Sequence, residues 1–167
     1  MATVKMEFLP EEALFLAANF PAYKRNLGTA FPVGALGYDA AADETAYWHF
    51  QALNYGSGNL TLTIYWYADT ASTGDVIWDA GIAAITADTD TQDIETKAFA
   101  TINSVTDTHL GTTGQRLHQC AITISNLDSV AANDFVALKI NRDANNASDT
   151  LAGDAFLVAA VLSFSDT

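Results

Sequence analysis

The residues able to do chemistry are few and scattered. The loop TADTDTQD sets Asp88, Asp90 and Asp93 near alternate positions, a spacing that can offer carboxylate oxygens to Ca²⁺. The glycine turn and distal Glu of an EF-hand are missing, so a solvated loop is the competing reading. A second polar stretch, RDANNASDT, carries Asp143, Asn145, Asn146 and Asp149, residue types that build turns through side-chain to backbone hydrogen bonds. His49, His109 and His118 form neither an HxH nor an HExxH pattern. Cys120 is the single cysteine, which rules out an intrachain disulfide and reads as a small buried residue of an apolar strand. No GxSxG, phosphate-binding or paired-cysteine motif occurs. Among 20 acidic residues no glycosidase pair is singled out. No catalytic residue, metal or cofactor is assigned on this basis, and the chain is read as non-enzymatic.

Aromatic side chains are the other chemical resource. Trp48, Trp66, Trp78, Tyr47, Tyr65 and Tyr67 cluster in three segments, and rings shown on a sheet face can stack on sugars. Alternation places the three tryptophans on interior faces and Tyr65 and Tyr67 outside, which leaves those two tyrosines as the candidate ligand surface.

These residues are held by strands. Leu60 to Tyr67 alternates Leu60, Leu62, Ile64 and Trp66 with Thr61, Thr63, Tyr65 and Tyr67, the mark of one dry and one wet face. Further strands are expected over Thr45–Leu53, Val76–Ile85, Lys97–Ile102 and Arg116–Ser125, with a loop from Thr106 to Gly114. The closing stretch, Asn133 to Phe164, holds two apolar segments, Phe135–Ile140 and Ala155–Phe164, around a polar connection. The last segment is apolar on both faces. Phe156, Val158, Ala160, Leu162 and Phe164 share one side, and Ala155, Leu157, Ala159 and Val161 the other, so it belongs inside a sandwich or against another subunit. Roughly seven or eight strands with turn signals between them predict an all-β protein, an antiparallel β-sandwich in the form of an eight-stranded jelly roll.

Residues 1–35 are expected to form an irregular N-terminal arm before a sandwich domain at 36–167. All three prolines, Pro10, Pro21 and Pro32, lie there. The arm is too apolar to stay in water, and it either covers its own domain or packs on a neighbouring subunit. Phe8, Leu14, Phe15, Phe20 and Tyr23 of the arm, with Leu157 and Val161 of the last strand, are the candidate interface.

Composition narrows the partners. Half of the 167 residues are hydrophobic, which excludes a disordered chain. The net charge of −13 repels phosphate backbones, so direct nucleic-acid binding is not expected. No apolar run approaches the ~20 residues of a membrane span. Glu7, Glu11 and Glu12 interrupt the apolar region that a signal peptide needs, so a soluble product made in the cytoplasm is expected.

One resemblance rests on the order of segments from residue 36 to 164. Leu36-Gly37-Tyr38-Asp39, the acidic turn and aromatic strand through Asp43, Glu44, Thr45, Ala46, Tyr47 and Trp48, then LTLTIYW, GDVIW and the final hairpin with Arg142, Asp143, Asp149, Thr150 and Asp154 together resemble small jelly-roll structural proteins of tailed bacteriophages. The resemblance implies a virion component synthesised in the host cytoplasm. It would be a trimeric capsid decoration, head-fibre or tail-associated protein that attaches to a major capsid or tail protein and stabilises the particle. The alternative expectation is a carbohydrate-binding module on the same fold, using Tyr65 and Tyr67 with or without Ca²⁺, since one fold hosts both roles.

Overall fold

Leu60, Leu62, Ile64 and Trp66 are all at most 1% exposed while Thr61, Thr63 and Tyr65 are half-buried, so the period of two read from the chain is the period of the strand. The computed structural model describes residues 2–167, apart from the side chain of Asn26. Its ten strands are β1 (Thr3–Phe8), β2 (Ala22–Leu27), β3 (Val33–Tyr38), β4 (Glu44–Gln51), β5 (Leu60–Ala68), β6 (Gly74–Ile85), β7 (Asn103–His109), β8 (His118–Ile124), β9 (Phe135–Arg142) and β10 (Ala155–Ser165). One sheet runs β2-β3-β10-β5-β8 with β1 also on β10, and the other runs β4-β9-β6-β7. All pairings are antiparallel. The eight strands from β3 to β10 thus divide as β3-β10-β5-β8 and β4-β9-β6-β7, the pairing of an eight-stranded jelly roll.

The arm is more regular than its prolines suggest. β3 pairs with only Ala155, Phe156 and Leu157 of β10, which leaves the same edge of the long strand open from Ala160 onward. Unpaired N–H and C=O groups on a central strand are costly, and β1 fills that length, from Phe8 opposite Ala160 to Thr3 opposite Ser165. β2 pairs with β3, and a short 3₁₀ turn at Pro10–Glu12 follows β1. Between them the chain seals the outer edge of β4. Leu14 N donates to Tyr47 O at 2.8 Å, Tyr47 N to Leu14 O at 3.0 Å, and Thr45 N to Asn19 O at 2.9 Å. Residues 2–35 therefore lie largely on their own domain, and Met1 lies outside the described residues.

Two strand expectations need correction. In β10 a bulge at Val158 separates Leu157 from Ala159 in the register with β5. Strict alternation fails there, and Ala155, Leu157, Ala160, Leu162 and Phe164 all face the core. The expected strand at Lys97–Ile102 is irregular chain, and β7 begins at Asn103 instead. As an edge strand whose inward residues are Val105, Asp107 and His109, β7 carries no hydrophobic alternation to read.

The core lies between the sheets. Trp48, Trp66 and Trp78 are at most 1% exposed, as their alternation predicts. Trp66 and Trp78 meet edge to face at 6.0 Å, and Tyr38 meets Trp78 at 5.1 Å. The Tyr38 hydroxyl donates to Ile140 O at 3.2 Å, and burial pushes its pKa well up. At one end of the sandwich the loop between β9 and β10 winds around Arg142, which is fully buried. Its guanidinium donates through Nε and Nη2 to the two Asp149 carboxylate oxygens at 3.0 and 2.8 Å. It also reaches Leu151 O and Gly153 O at 2.8 and 2.9 Å. A buried charge is tolerated when it is paired and its remaining donors are satisfied, and here that requirement gives an irregular loop one conformation.

Candidate functional site

Each strand of the four-stranded sheet contributes one polar residue to a single row on its outer face. Thr45 of β4 is opposite Asn141 of β9, Asn141 is opposite Asp79 of β6, and Asp79 is opposite Ser104 of β7. The Thr45 hydroxyl donates to Asn141 Oδ1 at 3.0 Å, and Asn141 Nδ2 donates to Asp79 Oδ2 at 3.4 Å. Asp79 is 3% exposed, and its Oδ1 has no partner. Burial raises its carboxyl pKa, the nearby Ser104 hydroxyl and Asn141 amide pull it back, and the Asp143 charge raises it further. A buried acceptor without a donor is costly, and Asp79 Oδ1 is the oxygen of this row that is left without one.

The next row supplies rings and a cation. Tyr47 of β4 lies opposite Lys139 of β9, which lies opposite Gly81 of β6. Phe99, from the irregular chain before β7, reaches across this face: its ring is 5.7 Å from that of Tyr47, and Lys139 Nζ is 5.1 Å from the Phe99 centroid. Gly81 lets Lys139 and the chain before β7 lie close on the strand. A Cβ there would stand 3.3 Å from both Lys139 Cε and Ile102 Cγ2. Burial lowers the Lys139 pKa, partly offset by Asp79, and burial raises the Tyr47 hydroxyl. Acceptor, donor and apolar ring on one face are the elements that hold a polyhydroxylated ring. Only one signal in the sequence marks this site, a lone carboxylate inside the apolar run VIWDAGIAAI.

The residues expected to form a ligand surface lie on the opposite, six-stranded sheet. Tyr65 is half-buried there. Tyr67 is not a displayed ring: it is 7% exposed and stacks on Phe156 at 5.1 Å and 9°. These two rings and Ala35, with Leu27, Val33 and Val158 against them, make a small second apolar cluster on the outer face of the sheet. The outer face of β10 is thus covered at Phe156 by its neighbours in the same chain, and is half-buried from Val158 onward.

The expected interface residues divide. Phe8 is 4% exposed and packs on Trp48 and Phe50, and Leu157 is fully buried; both are core residues, because β1 and β10 turn those side chains inward. Tyr23 is half-buried against the core and Val161 is half-buried on the outer face. Leu14, Phe15 and Phe20 remain exposed at 40–46%, with the rings of Phe15 and Phe20 5.5 Å apart.

The acidic side chains of these loops are taken up by backbone and side-chain groups of the chain itself. Asp90 accepts from Thr86 N, Asp93 from Glu95 N, Asp143 from Asn146 Nδ2, and Asp149 holds Arg142. Among the described residues no group of three or more His, Cys, Asp or Glu side chains is placed to hold a metal ion. His49 is exposed against Phe135 at 5.0 Å. His109 and His118 come together at 4.8 Å beside Trp66. Burial pushes the Cys120 thiol up to about 12, which keeps it protonated and unreactive. No described helix is long and apolar enough to cross a membrane.

No family model matches the chain, and no curated protein matches it. Solved structures do. An isomalto-dextranase from Arthrobacter globiformis complexed with panose matches with a TM-score of 0.55 at 15% identity over 95% of this chain, which spans only 23% of the enzyme's length. A family 35 carbohydrate-binding module from Cellvibrio japonicus matches at 0.53 and 15% identity, covering 98% of this chain and 95% of the module. A family 36 module of a multidomain xylanase from the hindgut metagenome of Trinervitermes trinervoides matches at 0.52 and 9% identity, covering 98% and 100%. This chain shares the antiparallel β-sandwich fold of these structures. The two modules match it end to end, and they overturn the expectation of a phage virion component, a capsid decoration or head- or tail-associated protein.

Proposed function

We propose that this chain is a non-catalytic carbohydrate-binding module that holds a glycan on the outer face of the four-stranded sheet. The observation that carries the reading is the unpartnered Oδ1 of buried Asp79, set in a polar row crossing all four strands beside Tyr47, Phe99 and Lys139. A sugar hydroxyl donates to that oxygen, Lys139 donates to a neighbouring hydroxyl, and the rings take the apolar face of the sugar. The end-to-end likeness to carbohydrate-binding modules supports it. The site does not rest on Tyr65 and Tyr67 or on Ca²⁺.

The test is affinity electrophoresis against a panel of neutral soluble polysaccharides, with Tyr47→Ala and Asn141→Ala as variants. Retardation by at least one polysaccharide is expected, weakened about tenfold by each substitution, the equivalent of about 1.4 kcal/mol. Tyr47→Ala removes a ring on the face of an otherwise intact sheet, so its thermal unfolding serves as a control for folding. Undiminished retardation in both variants would place the glycan elsewhere, and no retardation across the panel would remove the reading.

A further inference from the structure

A second recess lies where the arm meets β3, on the other sheet from the row just described. Its volume is about 430 Å³, and it is lined by Glu11, Tyr23, Arg25, Pro32, Val33 and Gly34. The Arg25 guanidinium carbon stands 5.3 Å from the centroid of the Tyr23 ring. Stacking of this kind uses the face of the guanidinium and leaves its N–H groups free in the plane, where they match a carboxylate bidentately. Among the described residues neither Arg25 nor Glu11 makes an ion pair within 4.0 Å or a side-chain hydrogen bond. A cation and an anion therefore line the same recess without satisfying each other.

The floor is made by Gly34. A Cβ at that position would stand 2.9 Å from Glu11 Oε1 and 3.7 Å from the Tyr23 hydroxyl, so the absence of a side chain is what lets the Glu11 carboxylate and the phenol come close over the strand. Lys24, beside it on β2, points to the other face of the strand, its Cε 3.6 Å from a Cβ built on Gly37, so Arg25 alone brings positive charge to this recess on a chain of net charge −13. That placement offsets, over the short range left by salt screening, the general repulsion of anions.

We propose that this recess binds a small hydroxycarboxylate, with Arg25 taking the carboxylate and Glu11 and the Tyr23 hydroxyl taking the neighbouring hydroxyls. The same chemistry is found in a free hydroxy acid and in a ring sugar acid at the end of a glycan. Binding here is independent of the sheet-face site, and the two succeed or fail separately.

The experiment is a titration of the full-length ¹⁵N-labelled chain, followed through the backbone amides of Tyr23 and Gly34, with gluconate, glucuronate, glucose and acetate as probes. Saturable shifts with gluconate or glucuronate are expected, and which of the two binds tighter identifies the open-chain or the ring source. Binding weaker by about tenfold or more is expected in Arg25→Gln, and weaker binding in Gly34→Ala, whose new methyl meets only the movable end of Glu11 and leaves the fold intact. Shifts of equal strength with glucose or acetate would overturn the proposal, as would unchanged binding in Arg25→Gln or no saturable shift with either acid. Retention of a neutral polysaccharide, which lacks a carboxylate, by the same sample reports on the sheet face alone.

Discussion

Asp79 is the residue on which the sheet-face site turns, and its protonation gives a test that needs no ligand. Burial raises its pKa in the folded chain above the value of about 3.9 expected when unfolded. A raised carboxyl favours the protonated form on folding, so its contribution is present below the unfolded pKa and is lost as pH rises through the folded pKa. Asp79→Asn is therefore expected to be more stable than the parent at about pH 7.5, with the difference shrinking as pH falls toward about 4. Urea midpoints across that window measure it, and a difference that stays constant with pH would contradict the argument. Glu44 and Asp154 are also raised, both chiefly by burial, while burial lowers His118 and acts in the opposite direction. Those groups are common to both proteins and cancel in the comparison. Asn141→Ala, used above against glycan, changes the same row without removing this titration.

At the scale of elements, β10 sets the architecture. It is the longest strand but one, it is paired along both edges, and no single neighbour is long enough to cover the edge opposite β5. β1 completes it and delivers Phe8 to the core beside Trp48 and Phe50. Phe8→Ala is expected to cost about 3 kcal/mol or more, which for a chain of this length lowers Tm by roughly 6–12 °C. Phe31→Ala, at a ring that is 80% exposed, is expected to stay within about 0.5 kcal/mol. Thermal unfolding of the two variants separates an arm that is part of the sandwich from one that is only attached to it. A Phe8→Ala protein as stable as Phe31→Ala would mean that β1 contributes no core.

For the whole molecule, the proposed glycan site carries an expectation set by charge. A net charge of −13 repels sulfated or otherwise polyanionic chains, whereas hydrogen bonds and ring stacking to a neutral chain are nearly indifferent to screening. Retention by a neutral polysaccharide is expected to change little between about 0.05 and 0.5 M salt, and a sulfated polysaccharide is expected not to compete at the lower salt. Competition by the sulfated chain at low salt would show that local charge at the site overrides the net charge.

Much of the fold was legible because its physics is local. Alternation in Leu60–Tyr67 placed Trp66 inside, and the same period placed Trp48 and Trp78, since a strand half-buried in a sandwich records its two faces every second residue. The two-sided apolar character of the last segment pointed to a strand inside a sandwich or against another subunit, and β10 lies between β5 on one edge and β1 and β3 on the other. β7 was illegible because an edge strand with Asp107 and His109 facing inward carries no apolar period, and the Val158 bulge because one extra residue leaves no mark in composition. Tyr67 was read as displayed, yet Phe156 covers it; the stack joins residues 89 positions apart, beyond the reach of any local pattern.

The amino-acid sequence by itself determined the all-β sandwich, the interior tryptophans and the acidic surface, because each follows from side-chain type repeated at short range. Tertiary structure alone decided the site. Thr45, Asp79, Ser104 and Asn141 are up to 96 positions apart, and only the jelly-roll pairing of β4, β9, β6 and β7 sets them in one row. The unpartnered oxygen of Asp79 exists only because that pairing buries a carboxylate and brings it too few donors.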